Sequence, residues 1–473
     1  MIARTPEKGP ADGRKERGRY GKILYMEKRI FGATDGIRGK AGVWPLRPNA
    51  MKALGKAISE YFKQPTLMLG RDTRGSGDWI RKELVAGIEA AGGRVIDLGI
   101  LPTPAVSAII KHNPEIDGGI MITASHNPAS DNGVKVFRAD GEKLSDESEL
   151  EVEEIYFKQQ LGEDVDPSTS MDLDLTPSEQ AMEAYCAALT QNFGRMQLDT
   201  DLIVDAASGA GQEFNLAVLE YFGARPVVIS PEPDGKNIND GHGALYPELL
   251  AEQTKARQLP GVAMDGDADR VILADEDGHI WDGDRIVVLL AQYLEDKGLL
   301  KNDSVVLTEY SNLGTIKFLE SQGIHVDKVV NGDRFVAQLC RAQGYKLGGE
   351  FSGHIMYMPW LESSDACFVA LMTLRIMQEK QCRLADLWSD YEMMPSKQWG
   401  LKVREKKPLE EVPGWLEALK VAEEQMAGRG RVFCRYSGTE NKLRILVEGE
   451  DADLIDECGE KLAEIIKKEI GDE

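Results

Sequence analysis

Residues 119–137 read GIMITASHNPASDNGVKVF, a strand pattern interrupted by a polar loop. The apolar run 119–122 predicts a buried strand. The Asp-Asn-Gly of 131–133 predicts a tight turn before a second apolar run at 134–137. Ser125 is therefore expected at a strand end, with histidine, asparagine and lysine residues close by. A hydroxyl in that setting suits acceptance and donation of a phosphoryl group, although most loop serines only cap turns.

The bulk composition is typical of a multidomain globular protein. A chain of 473 residues is too long for one ordinary core, so three or four domains are expected. No stretch approaches the apolar length of a membrane span. The six cysteines are scattered without a Cys-x-x-Cys pair, which favours a reducing cytoplasm over a disulfide framework or a zinc site. The formal net charge of −23 disfavours a nucleic acid or an anionic membrane as partner.

Strand-like runs alternate with helical patterns over most of the chain, which predicts an α/β fold. The first three units share a similar order of predicted strands and helices, which a weak internal triplication would produce. The predicted units are a flexible N-terminal extension (1–27), an α/β domain with the serine loop (28–172), a second α/β domain with an acidic loop (173–280), a third with a glycine-rich polar loop (281–394), and a smaller C-terminal α+β domain (395–473).

The acidic loop, DGDADR at 265–270, places Asp265, Asp267 and Asp269 at alternate positions between two apolar runs. Oxygen ligands at this density suit Mg²⁺ or Ca²⁺. The motif is not an EF-hand, because Arg270 stands where that loop needs glycine and the flanks resemble strands. A solvated acidic turn is the simpler interpretation. Three uncompensated carboxylates beside apolar runs would repel one another, however, so a bound cation is the better account.

Three further segments carry polar groups beside glycines. Residues 346–354 (KLGGEFSGH) offer a carboxylate, a hydroxyl and an imidazole, natural partners for sugar hydroxyls, or simply a turn with incidental polar residues. Residues 435–440 (RYSGTE), between two predicted strands, hold the components of a phosphate cradle, with an ordinary hairpin loop as the alternative. Residues 70–77 (GRDTRGSG) precede a helix and are a second candidate anion site. They lack the spacing of a dinucleotide or P-loop motif, so nucleotide binding is not expected.

In this order, the segments resemble the motifs of the α-D-phosphohexomutase superfamily, over nearly the whole chain from about residue 30. The motifs are FGATDGIRG (31–39), TASHNP (123–128), DGDADR (265–270), GEFSGH (349–354) and RYSGTE (435–440). Within the superfamily the bacterial phosphoglucosamine mutases are most similar, through PDGKNIN (233–239), SNLG (311–314) and GDR (332–334). Three positions depart from the pattern. Ala33 is an insertion, Phe351 stands where this subfamily usually has glutamine, and Asn441 replaces a usual proline.

The resemblance implies three similar mixed-sheet α/β domains and a smaller C-terminal α+β domain around a central cleft. It implies an isomerase that interconverts glucosamine 6-phosphate and glucosamine 1-phosphate, feeding amino-sugar nucleotide and cell-wall precursor synthesis. Phosphorylated Ser125 and a sugar 1,6-bisphosphate intermediate would carry the phosphoryl group. A phosphomannomutase/phosphoglucomutase is the alternative, and a non-catalytic sugar-phosphate-binding protein is the alternative from another class.

The resemblance also assigns roles to individual residues. One Mg²⁺ would be held by Ser125, Asp265, Asp267 and Asp269. The implied catalytic set is Ser125, His126, Lys135, Arg38, Arg270 and His354, with Lys135 and His354 as candidates for proton transfer. The implied substrate contacts are Glu350, Ser352, Arg334, Arg435, Ser437, Gly438, Thr439 and Arg444. The expected partner is a small sugar phosphate in the cytoplasm, with no nucleic acid or membrane, and a homodimer is the candidate assembly.

Overall fold

A computed structural model of the protein describes residues 29–32, 36–159, 178–437 and 441–472. The predicted extension 1–27, the Ala33 insertion, and Gly438 and Thr439 of the predicted phosphate cradle lie outside the described residues. Within the described ranges the backbone forms four β-sheets with helices packed against them. This arrangement confirms the predicted fold class of three similar α/β units and a smaller α+β unit.

The first sheet has five strands in the order β1-β5-β4-β2-β3. Its central strand β4 is buried along its whole length, as the apolar run 119–122 predicts. The strands are β1 (Ile37–Lys40), β2 (Thr66–Arg71), β3 (Arg94–Ile100), β4 (Gly118–Ile122) and β5 (Asp131–Arg138). The helices are α1 (Pro48–Tyr61), α2 (Gly77–Ala90), α3 (Thr103–Lys111) and α4 (Asp146–Lys158).

The second sheet has the order β10-β9-β8-β6-β7. Strands β8 and β9 flank the acidic loop, so the strand flanks that argued against an EF-hand are present. The helices are α5 (Ser178–Phe193), α6 (Gly211–Tyr221) and α7 (Pro247–Arg257). The strands are β6 (Thr200–Asp205), β7 (Ala224–Val228), β8 (Gly261–Met264), β9 (Val271–Ala274) and β10 (Ile280–Trp281).

The third sheet has four strands in the order β12-β11-β13-β14. Side-chain caps start three of its helices, since Asp282 accepts from the Arg285 amide, Asn312 from the Gly314 amide and Asp365 from the Phe368 amide. The helices are α8 (Gly283–Asp296), α9 (Leu313–Ser321), α10 (Asp333–Gln343) and α11 (Ala366–Lys380). The strands are β11 (Ser304–Thr308), β12 (His325–Val329), β13 (Leu347–Gly349) and β14 (Ile355–Tyr357).

The first three units repeat one topology. Each contains the run strand-helix-strand-helix-strand-strand (β2–β5, β6–β9 and β11–β14), with the first three strands parallel and the last antiparallel. The last turn of each run is therefore equivalent, and these turns are the serine loop (β4–β5), the acidic loop (β8–β9) and the glycine-rich loop (β13–β14). Because each loop follows the carboxyl end of a central strand, the repeat places the three chemical motifs at corresponding positions.

The fourth unit is a three-stranded antiparallel sheet, ordered β15-β17-β16, with two helices. Its elements are β15 (Ser396–Lys402), α12 (Trp415–Met426), β16 (Gly430–Tyr436), β17 (Lys442–Gly449) and α13 (Ala452–Glu469). It has a hydrophobic core of its own, whereas one large apolar cluster runs through the first three units. Among the described helices, none combines the length and apolar character that crossing a bilayer requires.

Candidate active site

Ser125 lies at the start of the serine loop, where its side chain is fully buried. Its backbone adopts a left-handed conformation with φ of 51°, which is rare for a residue with a Cβ. The hydroxyl Oγ donates to Asp265 Oδ2 at 2.7 Å and lies 3.2 Å from His126 Nδ1. The serine of the first unit and the acidic loop of the second thus meet directly.

The three aspartates of the acidic loop form one buried cluster. A carboxylate oxygen from each of Asp265, Asp267 and Asp269 lies within 4.8 Å of the others. Burial, together with the charges of Asp269 and Asp267, raises the pKa of Asp265 to about 8. Asp267 Oδ1 is buried and accepts no hydrogen bond from the described part of the chain. Three converging hard oxygens with an unsatisfied atom among them fit a small divalent cation such as Mg²⁺.

Lys135 on β5 partly balances this negative charge. Its ammonium Nζ donates to Asp267 Oδ2 at 2.8 Å and to Asp269 Oδ2 at 3.0 Å, and its side chain is 1% exposed. The Thr103 hydroxyl at the start of α3 donates to the same Asp267 oxygen at 2.6 Å. Two elements of the first unit therefore orient a carboxylate of the second.

The glycine-rich loop brings the third unit to the same place. Arg270 Nε lies 3.1 Å from His354 Nε2, and His354 Nδ1 lies 3.6 Å from Asp269 Oδ1. The Arg270 amide also donates to Asp265 Oδ1 at 3.1 Å. His354 is therefore close to both the arginine and an aspartate of the acidic loop.

His126 and Arg38 flank the serine on the side of the first unit. Burial, with the positive charges of Arg270 and Arg38 close by, lowers the pKa of His126 to about 2, so its ring is neutral at physiological pH. Arg38 Nη1 donates to the Ala124 carbonyl at 3.3 Å. The neutral ring next to Ser125 Oγ and the nearby guanidinium leave this side of the serine favourable to an anionic group.

Two further polar residues of the glycine-rich loop, Glu350 and Ser352, form hydrogen bonds within the third unit. Glu350 is buried, and its carboxylate accepts from the Gly332 amide at 2.8 Å and from the Ser352 hydroxyl at 3.3 Å. Arg334 Nη1 donates to Asp146 Oδ1 at 2.6 Å, which ties α10 to α4. Lys135 and Arg334 both line a cleft between the first and third units.

The predicted phosphate cradle lies between β16 and β17. Arg435 and Arg444 are directly opposite each other in this antiparallel pair, an arrangement of like charges that an anion would relieve. Arg435 Nε lies 3.2 Å from the Tyr310 hydroxyl, and its guanidinium lies 4.9 Å from the centre of that ring. The buried Ser437 donates its amide to the Lys442 carbonyl at 2.8 Å, which closes the described part of the loop.

Comparisons with known proteins agree with this arrangement. Family models named phosphoglucomutase/phosphomannomutase match in three places: alpha/beta/alpha domain I at residues 28–163, alpha/beta/alpha domain III at 282–394, and the C-terminal domain at 401–465. The phosphoglucosamine mutase of Bdellovibrio bacteriovorus is 36% identical over 94% of this chain and 100% of its own length. The chain belongs to the phosphoglucomutase/phosphomannomutase family. The predicted membership of the α-D-phosphohexomutase superfamily is confirmed, and with it the isomerase class.

Solved structures show the same fold. A phosphoglucomutase/phosphomannomutase family protein from Burkholderia thailandensis superposes with a TM-score of 0.75 at 22% identity, covering 93% of this chain and 97% of its own. An Aspergillus fumigatus N-acetylphosphoglucosamine mutase, solved with GlcNAc-6P and magnesium, superposes with a TM-score of 0.64 at 18% identity, covering 96% and 98%. At these identities the likeness shows a shared phosphohexomutase architecture.

Sequence reasoning missed several residues of this phosphohexomutase site. Arg74, predicted as part of a second anion site, is fully buried, and its guanidinium is occupied by carbonyl oxygens of the serine loop rather than turned outward. Asn239 of the second unit donates to the Ser125 carbonyl at 2.9 Å, and Thr103 holds Asp267. Among these residues, only Arg74 lies in a segment whose sequence indicates a special site, because the glycines beside it allow another part of the backbone to come close. Nothing near Thr103 or Asn239 predicts their long-range contacts.

Proposed function

We propose that this phosphohexomutase interconverts glucosamine 6-phosphate and glucosamine 1-phosphate through a phosphorylated Ser125 and a sugar 1,6-bisphosphate. The observation that carries the proposal is the buried Ser125 hydroxyl, 2.7 Å from a carboxylate of a three-aspartate cluster. An unphosphorylated serine can donate to Asp265, but a phosphoserine cannot, and its charge would repel three carboxylates. A divalent cation between them removes that conflict. The amino-sugar preference is supported by the name of the curated relatives aligned over 94% of the chain.

The residues around Ser125 suit both directions of phosphoryl transfer. In the forward step the bond between phosphorus and Ser125 Oγ breaks as the free hydroxyl of the bound monophosphate attacks, and that hydroxyl gives up its proton. The His354 imidazole would take that proton, and the Lys135 ammonium, which can give a proton, would serve as the acid in the reverse step. Asp265, Asp267 and Asp269 would hold Mg²⁺, which supplies neutralisation of the charge on the transferred group. Arg38 and Arg270 would stabilise the same charge from the open side.

A second phosphate site is required because the bisphosphate must bind in two orientations. Arg435 and Arg444 with Ser437 would hold the non-reacting phosphate, and Gly438 and Thr439 complete the predicted cradle. Glu350, Ser352 and Arg334 would bind the sugar between the two phosphate sites. We also place the reaction in the cytoplasm, an assignment supported by six unpaired cysteines. The candidate homodimer stays a prediction.

The test compares Ser125→Ala with Ser130→Ala, an exposed serine of the same loop. Intact mass of the wild type, before and after incubation with glucosamine 6-phosphate, should show one phosphate on Ser125 that the sugar discharges or exchanges. Ser125→Ala should lose turnover and still bind the monophosphate, whereas Ser130→Ala should keep both. Near-normal turnover by Ser125→Ala would refute the mechanism. Steady release of inorganic phosphate would indicate a phosphatase instead.

A phosphomannomutase/phosphoglucomutase is the second candidate. The observation that favours it is Phe351, a residue 48% exposed between the two predicted sugar-binding residues, where the phosphoglucosamine mutases usually have glutamine. The values of kcat/KM for glucosamine, mannose and glucose 6-phosphates, measured on one preparation, decide between the candidates. If none of the three discharges the phosphoenzyme, the non-catalytic sugar-phosphate-binding protein is the better account.

A further inference from the structure

Arg74 is held in a fully buried position behind the serine loop. A guanidinium has five N–H donors, and here each of them has an acceptor. Nε donates to Asp72 Oδ2 at 2.9 Å, Nη1 to the carbonyls of Pro128 and, at 3.0 Å, Asp131, and Nη2 to the carbonyls of Ser125 at 2.8 Å and Asn127 at 2.7 Å. Four of the five acceptors are therefore backbone oxygens of one loop.

Asp72 reaches the other side of the same serine. Its Oδ2 accepts from the Thr123 hydroxyl at 2.7 Å, and that hydroxyl oxygen accepts from the Ser125 amide at 2.9 Å. The backbone carbonyl of Ser125 bonds to Arg74 while its amide bonds to Thr123. A left-handed backbone at a residue with a Cβ persists only where the surroundings enforce it. The Asp72–Arg74 pair supplies that enforcement from both directions.

The same segment contacts the second unit, which carries the aspartates. The Thr73 hydroxyl donates to the Ser208 carbonyl at 2.7 Å, and the Gly75 amide donates to the Gly235 carbonyl at 2.9 Å. Residues 72–75 therefore touch both the loop that presents Ser125 and the unit that presents Asp265.

We propose that Arg74, oriented by Asp72, is the positioning residue that fixes Ser125 Oγ against the aspartate cluster for phosphoryl transfer. The inference rests on the proposed function of Ser125 and adds a residue that touches neither sugar nor phosphate. A lysine cannot replace the guanidinium, because an ammonium has three donors and no planar fork to span four carbonyls.

The experiment compares Arg74→Lys with Arg81→Lys in the full-length protein with Mg²⁺ present. Arg81 is a matched control, since it forms a largely buried ion pair with Asp97 and a half-exposed one with Asp78 at 2.7 Å in the same unit, away from the serine loop. A displacement of about 1 Å at a reacting atom can cost about 10²-fold in rate. Arg74→Lys should therefore lower kcat about 10²-fold with KM within about twofold of wild type. Arg81→Lys should lower only the melting temperature.

Single-turnover discharge of the phosphoenzyme by glucosamine 6-phosphate separates the possible outcomes. If wild type does not discharge, the proposed function fails. If wild type discharges and Arg74→Lys does so equally fast, or loses rate only in proportion to its unfolded fraction, the positioning inference is overturned. Should Arg74→Lys not fold, Thr123→Val tests the amide side of the same serine. It should slow discharge about tenfold, because it leaves the buried Ser125 amide without its acceptor. A wild-type discharge rate in Thr123→Val would overturn the inference as well.

Discussion

Replacing Lys135 with methionine should destabilise the metal-free protein far more than the metal-loaded one. The ammonium is 1% exposed and is shared by Asp267 and Asp269 at 2.8 and 3.0 Å. Methionine keeps most of the apolar volume and removes the charge, which leaves buried carboxylates uncompensated. Removing one partner of a buried ion pair costs about 3–5 kcal/mol. At roughly 2–4 °C per kcal/mol for a unit of this size, the melting temperature in EDTA should fall by about 6–20 °C.

Magnesium should remove much of the difference in melting temperature between wild type and Lys135→Met. A cation in the aspartate cluster neutralises the carboxylates that Lys135→Met leaves without their ammonium partner. Because the cation binds only the folded state, it also adds stability. The assay is thermal unfolding of wild type, Lys135→Met and Lys82→Met, each in EDTA and in Mg²⁺. Lys82 pairs with Asp78 at 3.0 Å on the surface, so its loss should cost about 1 kcal/mol or less in both conditions. A gap for Lys135→Met that is equal in EDTA and Mg²⁺ would refute the assignment of the cluster as a cation site.

Three further predictions follow from the site and its surroundings. Burial raises the pKa of Glu149 to about 7, above its ordinary 4.5, so native stability falls as pH rises from 4.5 to 7. Glu149→Gln should then gain up to about 3 kcal/mol over wild type between pH 5 and pH 8 in urea unfolding, and a pH-independent difference would contradict this. Arg435→Met should raise KM for the monophosphate about 10–100-fold and leave the phosphate on Ser125 in place, as mass spectrometry can check. Gly266→Ala should lower kcat at unchanged fold, because its Cβ would lie 2.8 Å from the Ser125 carbonyl oxygen, and wild-type kcat would contradict that steric account.

The chemistry of the individual loops could be predicted from the sequence because each loop is short and contiguous. Alternating aspartates between apolar runs predict a buried cation site whatever the rest of the fold, because the repulsion is between carboxylates of the same short loop. The glycine-rich loop likewise keeps its carboxylate, hydroxyl and imidazole within six residues. The strands on either side were partly predictable for the same reason. β4 lies within one residue of the apolar run 119–122, whereas the turn predicted at 131–133 is wrong, because β5 begins at Asp131 and these residues pair with β1.

The contacts between different loops could not be predicted from the local sequence of each loop. The bond from Ser125 to Asp265 spans 140 positions, and the contact from Arg270 to His354 spans 84. Arg74 shows the difficulty in another form. In the sequence, an arginine beside glycines is equally compatible with an exposed anion site and with a buried side chain that binds backbone carbonyls. Only the packing of the end of β2 against the serine loop shows that Arg74 is the second kind.

The triplicated topology explains why the site can be assembled from such distant segments. Each unit presents the turn between its antiparallel pair at the carboxyl end of a buried parallel strand, so three copies facing inward bring three loops together. The loops differ in chemistry: the first carries the proposed nucleophile, the second three carboxylates, and the third the residues proposed for sugar binding and proton transfer. The charge near Ser125 differs from the charge of the chain as a whole. The formal net charge of −23 is compatible with the proposed sugar-phosphate substrate, because Lys135, Arg270 and Arg38 are gathered near Ser125, where burial weakens screening. The fourth unit has its own core and lies outside the repeat, so the proposed phosphate cradle is built on a separate frame from the three loops.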